Sequence, residues 1–131
     1  MIYLDSSAIF KLVVPEPEST ALFGFLDEHD TALTSSELAT VEVHRALFRT
    51  GRGEGHDLHR VADTVLQQLE QLPLAPVIAS AALLPGSLRS LDALHLATAL
   101  RLPSIDALVT YDRRLAQHAA AAGLQVEAPD D

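Results

Sequence analysis

The sequence predicts an α/β fold, a parallel sheet covered by helices on both faces, and two observations carry the prediction. Short apolar runs that read as strands alternate along the chain with longer stretches of helical periodicity, the pattern of a sheet with helices on both sides. The first and last clear strands, Ile2 to Leu4 and Ala107 to Thr110, are also closely followed by an acid, Asp5 and Asp112, and then by a helix. Ligands of such sheets gather beyond the carboxyl ends of the strands. The pattern therefore predicts that Asp5 and Asp112 approach each other from opposite ends of the chain. At 131 residues and 48% hydrophobic composition, one domain spanning 1–131 with a substantial core is expected.

In chain order, Ile2-Tyr3-Leu4 reads as a short buried strand. Ser6 and Ser7 cap a helix that runs through Ile9 and Val13 and halts near Pro15 and Pro17. A second helix fits Glu18 to Glu28, and a strand is expected around Thr31-Ala32-Leu33. Thr34-Ser35-Ser36-Glu37 matches a capping box for a helix reaching about Arg49, with Gly51 and Gly53 just beyond it. His56 to Leu72 reads as one helix with Leu58, Val61, Ala62, Val65, Leu66 and Leu69 on one face. Pro73 and Pro76 frame a brief extended piece, and Val77 to Leu84 is helical. Pro85-Gly86 breaks the chain. Ser90 to Arg101 is a helix apolar nearly all round, Ala107 to Thr110 a strand, and Arg113 to Ala122 a helix stopped by Gly123. Leu124 to Val126 adds a last strand.

Composition narrows the chemistry. Eighteen acidic against nine basic residues give a net charge of -9, which on its face disfavours a polyanionic partner. The absence of cysteine removes disulfides, thiolate metal sites and a thiol nucleophile, and suits a reducing compartment, the cytoplasm being the simplest. No apolar run approaches the roughly 20 residues of a membrane span, and Asp5 interrupts any signal-peptide core, so a soluble protein is expected.

Four acids sit in apolar surroundings: Asp5, Glu42, Asp92 and Asp112. A carboxylate so placed resists ionisation unless a cation or hydrogen bonds compensate it. Together they would form a site for a hard divalent metal. Each has a competing structural role. Asp5 and Asp112 precede helices and could cap them, although Ser6 and Ser7 could relieve Asp5 of that task. Asp92 lies in the first turn of its helix, where the macrodipole favours an anion and Ser90 is the competing cap. Glu42 could pair with Arg45 or Arg49. His95 follows Asp92 by three residues on the same face and could orient that carboxylate or bind a phosphate, with core packing as the alternative. The remaining histidines show no fixed metal-ligand arrangement, and no HExxH, Walker loop or GxSxG occurs.

The segments MIYLDSSA from Met1, SSELATVEVHRAL from Ser35, RSLDALHLATAL from Arg89 and LVTYDRRL from Leu108 together resemble the PIN-domain ribonucleases, and among them the VapC-type toxins of toxin-antitoxin pairs. The likeness covers nearly the whole chain in order. It implies a three-layer fold with about five parallel strands, an acidic site at Asp5, Glu42, Asp92 and Asp112, and accompanying hydroxyls at Ser6 and Thr110. It further implies a homodimer and inhibition by a VapB-type antitoxin.

On this reading the chain is a metal-dependent endoribonuclease toxin. Mg2+, or Mn2+ in its place, would be held mainly by Asp5, Asp92 and Asp112, with Glu42 as a further ligand or a base, and Arg45, Arg89 or Arg113 would guide the RNA. Two alternatives stand beside it. A PIN-like module could bind RNA or protein without cutting. A receiver-like phosphoacceptor domain has similar length and alternation, but it wants a lysine late in the chain, and Lys11 is the sole lysine. A dehalogenase-like phosphatase would need a second aspartate where Ser7 stands.

Overall fold

The computed structural model describes residues 1–130. Among them five strands pair in parallel: β1 (Ile2–Leu4), β2 (Leu33–Ser36), β3 (Glu70–Leu72), β4 (Ala107–Val109) and β5 (Val126–Glu127). The helices are α1 (Ser6–Val13), α2 (Ser19–Glu28), α3 (Leu38–Arg49), α4 (Asp57–Gln67), α5 (Ile78–Ala82), α6 (Ser90–Leu100) and α7 (Arg113–Ala121), with a 3-10 turn at Ala75–Val77.

The strand order is β3-β2-β1-β4-β5. Strand succession runs outward from β1 on one side and from β4 on the other, so the switch point lies between these two strands. A crevice opens at such a point because the connections leave in opposite directions. The receiver-like alternative would show the order 2-1-3-4-5 instead.

Side chains of successive strand residues face opposite sides, and the core divides accordingly. Ile2, Leu4 and Val109 pack with Ile9, Val43, Leu47, Ala62 and Leu66 beneath α1, α3 and α4. Tyr3 and Leu108 face the other way, against Leu96, Ala99, Leu115 and Ala119 of α6 and α7. Burial on both faces explains why β1 and β4 are uniformly apolar up to Thr110.

Three expectations need correction. Thr34, Ser35 and Ser36 belong to β2, where they are fully buried, and not to a capping box. The Thr34 and Ser35 hydroxyls donate to the carbonyls of Ile2 and Leu4 in the neighbouring strand, at 3.2 and 2.6 Å. Glu37 turns instead to the Leu74 amide. The helix expected from His56 to Leu72 stops at Gln67, and Glu70–Leu72 pairs with β2 as the edge strand β3. Val61 on its expected inner face is 41% exposed. The piece between Pro73 and Pro76 is helical at its end, because Pro76 fits the first turn of the 3-10 segment.

An acidic cleft at the switch point

Asp5 leaves β1 at its carboxyl end, and its extended backbone places it as the N-cap of α1. Its Oδ1 accepts from the Ala8 amide at 3.1 Å and from the Ser7 hydroxyl at 2.7 Å. Thr110, the residue after β4, donates its hydroxyl to Oδ2 at 2.6 Å. The cap is thus Asp5 itself and not Ser6 or Ser7. Ser7 serves the carboxylate and also accepts the Tyr111 amide at 2.9 Å. Asp112 caps α7 by accepting the Leu115 amide at 2.9 Å, and its own amide donates to the Thr110 hydroxyl at 3.0 Å.

Asp92 lies in the first turn of α6, where Arg89 occupies the N-cap without a side-chain bond and Ser90 is already helical. Glu42, half-buried on α3, pairs with His95 and not with Arg45 or Arg49, the alternative partners the sequence offers. Its Oε1 accepts from the Ser6 hydroxyl and from Nε2 of His95, the latter at 2.5 Å. His95 is 2% exposed, and its Nδ1 lies 2.7 Å from the Tyr3 hydroxyl. So His95 is both packed in the core and bonded to an acid, and the acid is Glu42, not Asp92. Ser6, expected beside the first acid, serves Glu42, whereas Thr110 serves Asp5.

Asp5, Glu42, Asp92 and Asp112 line one cleft of about 810 Å3, together with Arg45, Arg49 and Arg89. Arg113 lines a smaller neighbouring groove with Tyr111 and Ala116. Lys11 borders the cleft but is already paired with Glu16 and Glu18 at 3.2 and 3.1 Å.

The electrostatics follow from burial. Desolvation pushes the Asp5 carboxyl up, against its hydrogen bonds and the nearby His95 ring. Asp92 is raised by burial and then by the negative charges of Asp112 and Asp5. Burial works on Glu42 in the same direction, but the contacts to His95 and Ser6 outweigh it and hold that carboxyl below its ordinary range. Burial drives the Tyr3 phenol far upward, with Asp5 adding to the effect, so it stays a protonated donor.

The donor set fits a hard divalent cation. It consists of carboxylate oxygens, Asp5 and Asp92 are raised chiefly by burial, and the repulsion that Asp92 also meets from Asp112 and Asp5 is what a cation would relieve. Among the described residues no three acidic or imidazole side chains already stand at coordination distances from one point. The acids share one cleft.

Parallel strands in this order, with four acids at the switch point, define a PIN-type domain. The family model for the PIN domain matches residues 2–121, and the chain belongs to that family. It is 44% identical over 131 residues to Ribonuclease VapC46 of Mycobacterium tuberculosis, covering 98% of this chain and 97% of that protein. Ribonuclease VapC35 of the same species is 44% identical over 135 residues, with the same coverage. Among solved structures, M. tuberculosis VapC20, described as a sarcin-ricin loop cleaving toxin, superimposes with a TM-score of 0.76 at 17% identity, covering 98% of this chain and 99% of that one. FitAcB from Neisseria gonorrhoeae does so with a TM-score of 0.70 at 23% identity, covering 98% of each chain. These two establish likeness of fold.

Sequence reasoning missed Ser7 and Tyr3 as parts of this region, and it reads Arg49 only as an ion-pair partner for Glu42. Ser7 was legible only as a cap. Tyr3 carried no signal, since an aromatic residue in a buried strand reads as core.

Proposed function

We propose that the protein is a metal-dependent endoribonuclease, the toxin of a type II toxin-antitoxin pair, which hydrolyses RNA phosphodiester bonds and is neutralised by a cognate antitoxin. The observation that carries this reading is the meeting of Asp5, Glu42, Asp92 and Asp112 in one cleft, within a chain 44% identical to proteins named as VapC ribonucleases.

Asp5, Asp92 and Asp112 would hold the cation, Mg2+ or Mn2+, with Glu42 beside them. A cation there supplies Lewis-acid relief of phosphoryl charge and acidifies a water. The chain's own residues do the rest. Thr110 and Ser7 fix the Asp5 carboxylate from both of its oxygens. Glu42 is held below the ordinary carboxylate range and so serves as a fixed anion, which makes it a poor proton acceptor. Arg45, Arg49 and Arg89 offer cations at the rim to a phosphate backbone, which answers the overall charge of -9 locally. Arg113, lining the adjoining groove, would meet the strand only if it extends past Asp112.

The same reading takes 1–131 as one functional unit in the cytoplasm and includes a homodimer, for which Ile78 and Leu83 on and beside α5 offer exposed apolar surface, at 57% and 84%. No helix among the described residues is long and apolar enough to cross a membrane.

The test is cleavage of total RNA by purified protein. Cleavage is expected to require added Mg2+ or Mn2+, to stop with chelator, and to vanish in a folded Asp5→Asn variant. Undiminished cleavage by Asp5→Asn would sink the reading, and RNA binding without any cleavage would favour the non-cutting module.

A further inference from the structure

The imidazole of His95 is bonded at both nitrogens to side chains. Tyr3 of β1 holds Nδ1 at 2.7 Å, and Glu42 of α3 takes Nε2 at 2.5 Å. Because an ionised carboxylate only accepts, Nε2 carries the hydrogen that faces Glu42 whether the ring is neutral or charged. Ser6 at the start of α1 donates to the same oxygen and lies 3.2 Å from Nε2. Three elements, α1, α3 and α6, thus meet on one carboxylate oxygen, with β1 behind them through Tyr3, and both bonds fall on Oε1 rather than Oε2.

We infer that His95, steadied by Tyr3, is a positioning residue for Glu42: it anchors Oε1 in the protein interior and leaves Oε2 as the oxygen available to the cleft. This rests on the reading above that Glu42 belongs to the functional site. Side chains behind a ligand commonly fix its orientation in this way. Asp92 and His95 are three residues apart on α6, so one rigid helix both carries an acid and sets the direction of another. Any shift of α6 relative to α3 therefore displaces two acids together. Packing alone does not account for the arrangement, since a leucine would fill the position without needing Tyr3 or Glu42.

The geometry of substitution provides the test. The amide nitrogen of glutamine sits near the place of Nε2 and can still reach Glu42, whereas that of asparagine sits near Nδ1 and cannot. In His95→Asn, kcat for RNA cleavage is expected to fall roughly 10- to 100-fold, the usual loss for a residue that orients a ligand from behind, with KM little changed. His95→Gln is expected to recover most of that loss at the same thermal stability. A second readout needs neither metal nor RNA. In histidine-labelled protein, the His95 Nε2 proton should resonate far downfield and move upfield in Glu42→Gln, where the acceptor is neutral. Equal kcat in the Asn and Gln variants, or an Nε2 proton indifferent to Glu42→Gln, overturns the positioning role. Full cleavage by Glu42→Gln instead overturns the functional reading on which it rests.

Discussion

The hydroxyl of Thr110 donates to Oδ2 of Asp5 at 2.6 Å, joining residues that follow β4 and β1 across the switch point. The Thr110 hydroxyl oxygen in turn accepts the Asp112 amide at 3.0 Å, so the Thr110 side chain, 1% exposed, ties two acids of the cleft together. Valine is nearly isosteric with threonine and suits the extended backbone, but it removes both bonds. Thr110→Val is expected to cost about 1 to 3 kcal/mol of stability, the penalty for leaving buried polar groups unpaired, and to lower cleavage as well. Denaturant unfolding of the two proteins measures it, and a stability equal to wild type would contradict the bond's importance.

Asp5 and Asp92 are both raised above the ordinary carboxylate value. The native state therefore holds more protons than the unfolded chain between the unfolded value, about 3.9 for Asp, and the raised native one. Stability from these groups is complete below the unfolded value and declines as pH rises through the native value. A divalent cation reverses this by binding the ionised forms. Mn2+ should raise the melting temperature at neutral pH and lose most of that effect in mild acid. An equal rise at both pH values would show that the ion binds elsewhere.

Asp92→Asn removes a partly buried charge that faces Asp112 and Asp5. Without added metal at neutral pH its melting temperature is expected to match or exceed that of wild type. Cleavage should nevertheless fall by roughly 100-fold or more, since metal ligation supplies several kcal/mol of transition-state stabilisation. A less stable variant with normal cleavage would reverse both expectations.

Arg49 lines the cleft close enough to lower the Glu42 carboxyl, whereas Arg113 lines the adjoining groove. Binding of an RNA strand to the uncleaving Asp5→Asn background should weaken with salt. Arg49→Ala should reduce that slope by about 0.7 per lost phosphate contact, the single-strand value, and Arg113→Ala should reduce it less. Filter binding across a salt series distinguishes the two, and a larger loss at Arg113 would move the RNA path into the second groove.

Much of this architecture was legible because apolar runs and helical periodicity record burial directly. β1, β4, α6 and the acids beside them needed nothing from distant contacts to be recognised. Two of the failures share a cause, which is local chemistry overridden by sheet pairing. Thr34 to Ser36 have the composition of a helix cap, yet the hydroxyls of Thr34 and Ser35 are used by carbonyls of β1, a partner that the local sequence does not name. Only Ser36 accepts an amide of the following helix, that of Leu38. Glu70 to Leu72 lacks a strand's composition and is held extended by pairing with β2 at the sheet edge. Within the cleft, spacing placed Asp92 and His95 on one helical face, but the bond from His95 to Glu42 crosses between helices far apart in sequence and could not be read from either segment.

The central claim is that the carboxylates of the cleft act jointly on one divalent cation, and direct titration of Mn2+ into RNA-free protein tests it. Calorimetry should detect binding to wild type, with proton release at mildly acidic pH, and a severe loss of that binding in both Asp5→Asn and Asp92→Asn. Binding of equal strength in the wild type and both variants would contradict it.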